Sequence, residues 1–559
     1  MQRFARLYAE LDATTSRDDK TAALVRYFRE APAADGAWAL AILTGRRVRR
    51  AVSSTELRTA AQYVSAVPGW LIDECHGSVG DLGETLALIL PDPASPDTPR
   101  PMLHELFERT ILAMRRMSET QRGLMLRATW AALDSFERFV FHKLLSGTFR
   151  VGVSRLLAVR AMAEIAGVSQ AEMDHRLMGD WEPTPGFFDA LRRGEVAPDG
   201  HAQSIARPYP FYLAQQLDNT PWATNDLGPV SDWLAEWKWD GIRAQLIRRS
   251  GKCVLWSRGE EVISAQFPEL VDAASAIPDG TVLDGEVLAW DLGGAERPLP
   301  FAALQTRINR KQEGLRLFND VPVVFMTYDL LEHNGEDWRA RPLNERRATL
   351  ESLLRPAPPL LRASATVKAD SWKELAAMRE QARARGVEGL MLKRRSSVYG
   401  VGRTRGDLAI GAWWKWKIDP YSVDAVLIYA QRGSGRRASL YTDYTFGLWS
   451  GPERGQGELV PIAKAYSGLT DDEISQVDAF IREHTTGRVQ GASMVVVEPS
   501  LVFELAFEGI AASTRHKSGM AVRFPRMARW RTDKKANEAD TLDSLRRLLA
   551  ASTGQEAAR

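Results

Sequence analysis

The sequence is poor in cysteine, with only Cys75 and Cys253 in 559 residues. That excludes a disulfide framework and a four-cysteine zinc site. No run reaches about 18 uncharged apolar residues, so no transmembrane helix is readable. The opening Met1-Gln2-Arg3-Phe4-Ala5-Arg6 lacks the apolar centre of a signal peptide. The expectation is a soluble, cytoplasmic protein that does not use a membrane. A charge excess of either sign is also missing: Lys+Arg is 73, Asp+Glu is 71, and the net charge is +2. Such a balance argues against a simple polyanion sleeve. It leaves room for a nucleic-acid enzyme whose basic residues gather on one face. What is present is ordinary globular material, 45% apolar and 26% charged. At roughly 150 residues per domain the length suggests three or four domains. No repeat of solenoid period is visible.

Residues 1–205 read as a helical domain. Leu133, Phe136, Val140 and Leu144 recur at helical spacing, and Met162 to Ala166 continues an Ala-rich pattern. Pro91-Asp92-Pro93-Ala94-Ser95-Pro96 interrupts it as a loop. Basic patches lie at Arg46-Arg47-Val48-Arg49-Arg50, Arg115-Arg116 and Phe149-Arg150. Any one of them reads first as a solvated helix face, and together they permit a polyanion partner. Breakers from Pro183-Thr184-Pro185-Gly186 to Pro208-Tyr209-Pro210 mark a boundary. Residues 206–419 then show short strand-like runs with helices between: Ala244 to Ile247, Thr281 to Trp290, Val321 to Leu331 and Gly389 to Lys393. This is an α+β texture. Residues 420–559 are strand-rich, with runs at Leu440 to Trp449 and Met494 to Phe507, and suit a small β-barrel closed by a helix from about Asp540 to Ala550.

The sharpest local feature is Glu236-Trp237-Lys238-Trp239-Asp240-Gly241-Ile242-Arg243. Read as a strand, it places Glu236, Lys238 and Asp240 on one face. Lys238 is then either a salt-bridged surface lysine or a nucleophile. A free lysine titrates near pH ~10.4, so it attacks only when desolvation or neighbouring positive charge weakens its proton. Gly411-Ala412-Trp413-Trp414-Lys415-Trp416-Lys417 puts Lys415 and Lys417 on one strand face, with Trp414 and Trp416 on the other. Two ammonium groups in one site would bind a polyphosphate and disfavour protonation of a third lysine. The blander reading is snorkelling lysines over an aromatic layer. Asp284-Gly285-Glu286 and Glu388-Gly389 each place carboxylates beside a glycine, and the second run ends on Lys393. Carboxylates with a phosphate partner suit Mg²⁺.

Taken in order, these runs resemble the motifs of the covalent nucleotidyltransferases, and specifically the ATP-dependent DNA ligases. Lys238-Trp239-Asp240-Gly241-Ile242-Arg243 fits the family's KxDGxR motif. Ser257-Arg258 fits the next, with Gly259 where asparagine is common. Asp284-Gly285-Glu286, Thr327-Tyr328-Asp329-Leu330, Glu388 to Lys393 and Trp414-Lys415-Trp416-Lys417 follow. Arg523-Phe524-Pro525-Arg526, with Arg529, Arg531, Asp533 and Lys534, fits the RFPR…RxDK signature. Gly147-Thr148-Phe149-Arg150-Val151-Gly152 resembles the family's helical DNA-binding domain.

The resemblance implies an all-α DNA-binding domain, an α+β adenylation domain and a C-terminal OB-fold barrel, with nicked duplex DNA, ATP and Mg²⁺ (or Mn²⁺) as partners. Lys238 would attack the α-phosphate of ATP and carry AMP. AMP would pass to the nick 5′-phosphate, and the 3′-hydroxyl would then displace it. Glu236 would meet the adenine amine and Tyr328 the adenine ring. Arg243 and Glu286 would meet the sugar. Glu286 and Glu388 would stand beside the metal, with Lys393 in the nucleotide pocket. Lys415 and Lys417 would grip the α-phosphate. Arg258 would meet the 5′-phosphate and Asp240 the 3′ end. Arg531, Asp533 and Lys534 would orient pyrophosphate, while Arg150, Arg523 and Arg526 would touch DNA. The barrel would swing about a hinge near Ile418 to Tyr421.

The rivals are an RNA ligase or a capping guanylyltransferase, which share the lysine core, and a non-catalytic scaffold for DNA ends. The helical domain and the RFPR run favour DNA ligation, and the complete lysine and carboxylate set disfavours a scaffold. The chain reads as a monomer working with separate nucleases, helicases or polymerases. Its Ala- and Arg-rich composition points to a GC-rich bacterial genome.

Overall fold

The computed structural model describes the chain except residues 46–49, 93–98, 148, 150, 180, 196–206, 218–226, 260, 310–320, 403–412, 434–436, 438, 490–493 and 554–559. The chain divides into two compact units, Met1–Ala158 with Asp419–Arg559, and Val159–Ile418. Among the described residues no helix is long and apolar enough to cross a membrane.

The N-terminal part of the first unit is helical, and its helices start where side chains supply the orphan N–H groups with acceptors. Ser53 with Glu56, Ser118 with Gln121 and Asp134 with Glu137 form reciprocal capping boxes. The helix Ser135–Ser146 buries Val140 and Leu144 as the spacing predicts. Leu133 is buried just ahead of it, but Phe136 is 43% exposed, one step off the buried stripe. Gly147 ends this helix at φ 69°. Beyond it, Phe149 stacks on Phe4, and the Lys20 ammonium donates to the carbonyls of Val151 (2.9 Å) and Gly152 (3.1 Å). Phe149, Val151 and Gly152 are therefore tied to the first two helices. Arg150 and most of the Arg46 patch lie outside the described residues.

The second unit carries two sheets. One has the order β1 (Gln215–Gln216), β11 (Trp413–Lys417), β10 (Gly389–Arg394), β2 (Trp233–Trp237), β9 (Thr366–Val367). The other runs β4 (Lys252–Ser257), β3 (Ile242–Arg249), β5 (Thr281–Ala289), β6 (Val323–His333), β7 (Glu336–Asp337), with β8 (Leu361–Ala363) beside β6. Strand alternation assigns the faces. Trp233, Ala235, Leu390, Leu392, Trp414 and Trp416 form one apolar layer under the helix Trp372–Glu380. The opposite face of that sheet presents Glu236, Met391, Lys393, Trp413, Lys415 and Lys417. In the other sheet, Leu246, Leu255, Leu283 and Phe325 pack beneath the helices Pro268–Ala273 and Leu343–Leu354. Its second face joins Trp413 and Tyr399 through Ile247, Val282, Leu331 and Tyr328. The working side chains thus line the space between the two sheets.

The C-terminal part of the first unit is strand-rich. The long β12 (Tyr421–Arg432) pairs with β13 (Tyr441–Trp449) on one edge, and with β16 (Met494–Val497) and β17 (Val502–Phe507) in succession on the other. The run expected from Met494 to Phe507 is two strands, broken by a turn at Pro499-Ser500. The helix Leu542–Thr553 closes this core through Leu542 and Leu545.

Candidate active site

The structure corrects the placement of Lys238. β2 ends at Trp237 and β3 begins at Ile242, so Lys238, Trp239 and Asp240 lie on the turn between them. The ladder to β10 persists for one more residue: Lys238 N donates to Gly389 O (2.9 Å) and Glu388 N donates to Lys238 O (2.8 Å). Two glycines let the neighbouring strands close in on either side, Gly241 against β5 and Gly389 against β11. A Cβ on Gly241 would lie 2.3 Å from Val287 O. Gly389 sits at φ +135°, and a Cβ there would lie 2.3 Å from Trp416 O.

This crossing brings Lys238 onto Glu388. The Lys238 ammonium donates to Glu388 Oε2, and Lys417 Nζ stands 3.5 Å from the same oxygen. Lys415 occupies the same face of β11, opposite Met391. The nearest charge to Lys238 is therefore a carboxylate rather than another lysine. Glu286, across the cleft on β5, is pushed up to about 7 by burial, with Glu388 and Asp284 raising it further and Lys238 and Arg243 opposing. Glu286 and Glu388 thus share one electrostatic neighbourhood with Lys238.

Asp284, on the same strand face as Glu286, has a different job. It is fully buried; it accepts two bonds from Arg243 (3.2 and 2.8 Å) and one from the Tyr399 hydroxyl (2.7 Å). Arg243 Nη1 also donates to Tyr212 O (2.6 Å). Arg258 hangs its backbone N–H on Arg243 O (2.8 Å) and leaves its side chain exposed. Asp240 is half-buried on the turn.

A second cluster forms the deep end. Glu236 is 1% exposed, with Oε1 accepting from Arg347 Nη1 and Oε2 from Lys393 Nζ, both at 2.5 Å. Lys393 lies over the rings of Tyr328 and Trp413, 4.3 Å from each centroid. Burial pulls its ammonium below the ordinary lysine range, against the pull of Glu236 and Asp329. Tyr328 reaches this place through a bulge. Gly285 pairs with Thr327 and Asp284 with Asp329, so Tyr328 is the extra residue and its ring turns into the cleft. Burial raises its hydroxyl far above the usual tyrosine range.

Arg523 and Arg526 flank the turn from β19 (Met520–Arg523) to β20 (Arg526–Trp530), in the other unit. There Arg531 donates to both oxygens of Asp424 (3.1 and 2.9 Å) and to Asp533 (2.8 and 2.7 Å), and Lys534 bonds Asp424 at 2.5 Å.

Sequence reasoning missed Trp413, Tyr399, Tyr212, Arg346, Arg347 and Ser364. Trp413 was legible, since it shares the parity of Lys415 and Lys417. The two arginines carried a fainter signal: they fall in phase with Leu343, Leu350 and Leu354 on the buried side of one helix. The tyrosines and Ser364 had no local signal.

A lysine held beside carboxylates at the mouth of an aromatic, cation-lined cleft defines a nucleotide-transfer site. Family models agree: "DNA ligase N terminus" matches residues 1–163, "ATP dependent DNA ligase domain" 212–417, and "ATP dependent DNA ligase C terminal region" 437–534. A probable DNA ligase of Koribacter versatilis is 32% identical over 97% of this chain and 95% of its own. DNA ligase 1 of Korarchaeum cryptofilum is 28% identical over 98% of each. The solved structure called Pmar-Lig_Pre shares the fold at a TM-score of 0.59 and 15% identity, covering 94% of this chain and 99% of that one. The chain belongs to the ATP-dependent DNA ligases.

Proposed function

We propose that Lys238 is the residue that carries AMP in sealing nicked duplex DNA. The observation that carries this reading is the Lys238–Glu388–Lys417 cluster, where the turn between β2 and β3 meets the start of β10 and the end of β11. As it stands, Lys238 Nζ donates to the Glu388 carboxylate. Attack requires that this bond be exchanged and the proton lost. The Nζ–P bond then forms at the α-phosphate of ATP as the bond to pyrophosphate breaks. Lys417 and Lys415 offset charge on the transferring phosphate.

Glu286 and Glu388 fit a Mg²⁺ site. Among the described residues no group of three or more His, Cys, Asp or Glu could hold a metal, and Mg²⁺ is commonly held by one or two carboxylates plus substrate oxygens. An ion held by Glu286 and Glu388 would supply counter-charge to the polyphosphate. Glu236 reads the adenine amine, Tyr328 covers the ring, and Arg243, held by Asp284, borders the sugar. Arg258 and Asp240 serve the 5′ and 3′ ends of the nick, and Arg531, Asp533 and Lys534 the leaving pyrophosphate. Three domains, 1–205, 206–419 and 420–559, carry these roles. The break between the compact units at Ile418–Asp419 supports a hinge there.

Incubation with Mg²⁺ and ATP labelled at the α-phosphate should leave acid-labile label on the chain, and none on Lys238→Ala. Label that survives that substitution would overturn the assignment.

A further inference from the structure

The same helix that packs on the second sheet carries two adjacent buried arginines. Leu343, Leu350 and Leu354 seat the helix Leu343–Leu354 in the core. Arg346 makes a two-pronged bond to Asp329, at 2.7 and 2.9 Å, with both side chains fully buried. Asp329 follows Tyr328 in the chain, so this pair pins the bulge that aims the tyrosine ring. Arg347 is 6% exposed, and its three nitrogens each reach a different partner. Nε donates to Glu351 (2.6 Å), Nη1 to Glu236 Oε1 (2.5 Å), and Nη2 to the carbonyl of Ser364. The Ser364 hydroxyl in turn accepts from Trp239 Nε1 (3.0 Å), and Trp239 adjoins Lys238. Ser364 is fixed from the other side, its N–H donating to Thr327 O (2.7 Å).

We infer that Arg347 is a positioning residue for the first step: one guanidinium fixes the carboxylate that reads the nucleobase and, through Ser364, the loop that carries Lys238. This rests on the reading that Glu236 faces the base amine. An ionised carboxylate only accepts hydrogen bonds, so it can receive an exocyclic amine. It does so at one position only if its own rotamer is held. Lys393 holds one oxygen and Arg347 the other. The planar fork of arginine suits a role that spans several acceptors in fixed geometry, which a lysine cannot reproduce. Arg347 touches neither the base nor the phosphate; it acts through Glu236 and Trp239.

The test compares self-adenylylation with ATP and with purine riboside triphosphate, which lacks the 6-amino group. The wild-type protein should prefer ATP by about tenfold to a hundredfold, the worth of one hydrogen bond to a charged group. Arg347→Gln should lose most of that preference, chiefly through a higher KM for ATP, and the double variant with Glu236→Gln should lose no more than either alone. Trp239→Phe, which removes the bond to Ser364 and trims the ring packed against Trp290, should lower kcat severalfold and leave the preference intact. Equal losses with both nucleotides in Arg347→Gln would reduce the residue to a structural prop and overturn the inference. An unchanged preference in Glu236→Gln would instead remove the base-reading role, a separable result because Arg347 is intact there. Melting curves report folding. If Arg347→Gln does not fold, Arg347→Lys carries the same comparison, with an intermediate preference expected and an unaltered one overturning the inference.

Discussion

Gly389 shows how much of the site rests on one missing side chain. Its φ of +135° belongs to a region that L side chains rarely adopt, and an added Cβ would meet the Trp416 carbonyl. That carbonyl belongs to the strand carrying Lys415 and Lys417, and Gly389 O receives the Lys238 N–H. Strain of this kind costs about 1–3 kcal/mol. Gly389→Ala should therefore lower thermal stability by that order and depress self-adenylylation more than sealing of a pre-adenylylated nick. An alanine variant with unaltered melting and adenylylation would refute the close-approach account. At this scale the sequence was informative where a residue type is itself the message. A lysine before Asp-Gly, or an acid before glycine, says what the position needs. It was silent on partners. Nothing near Glu236 in the chain announces Arg347 or Lys393, because an ion pair closes only when the fold has brought distant segments together. For the same reason the octet around Lys238 looked like a continuous strand. The turn is imposed by β10, through Gly389 O and Glu388 N, which no local pattern contains.

Elements with a repeating face were the most legible. From Trp414 onward β11 alternates tryptophan and lysine, and the structure divides them as parity requires. β6 was legible as a strand but not in its detail. Its bulges at Tyr328 and Leu331 depend on the register with β5, so the side that Tyr328 faces could not be counted off. In the helix Ser135–Ser146 the apolar spacing was visible, while the chemistry of His142 was not. His142 is 1% exposed, its Nδ1 bonded to Gly83 O at 2.9 Å, and burial pulls it down to about 4. The sign follows from proton counting. Between the ordinary value of 6.5 and about 4, the unfolded chain binds a proton that the folded one does not. Stability from this site is complete above pH 6.5 and is lost as the pH falls toward 4. The full loss is about 3 kcal/mol. His142→Gln keeps a donor for Gly83 O but cannot titrate. Urea unfolding at pH 7 and pH 4.5 should show a smaller acid-induced loss for the variant than for the wild type. Parallel losses would place the acid sensitivity elsewhere.

Across the whole molecule, the net charge of +2 conceals a local division of labour. Acids in and beyond the proposed site sit among cations: Glu388 with Lys238 and Lys417, Glu236 with Lys393 and Arg347, and Asp424 with Arg531 and Lys534. Each of these acids faces two cations, so a near-neutral total says little about which surfaces meet phosphate. The Asp424 cluster bears on the reaction because its cations belong to the run assigned to pyrophosphate. Asp424 holds both Arg531 and Lys534 from β12. To orient a leaving pyrophosphate they must exchange a carboxylate for phosphate oxygens, a swap of one anion for another that costs little charge separation. Pyrophosphate leaves only in the first step; the later steps transfer AMP and then release it. Arg531→Ala or Lys534→Ala should therefore slow self-adenylylation by about a hundredfold, the order seen when one transition-state donor is removed. Sealing of a nick that already carries AMP should change by far less. Single-turnover rates on the two substrates separate the steps. An equal loss in both would mean that these residues hold the barrel together through Asp424, and the leaving-group role would fall.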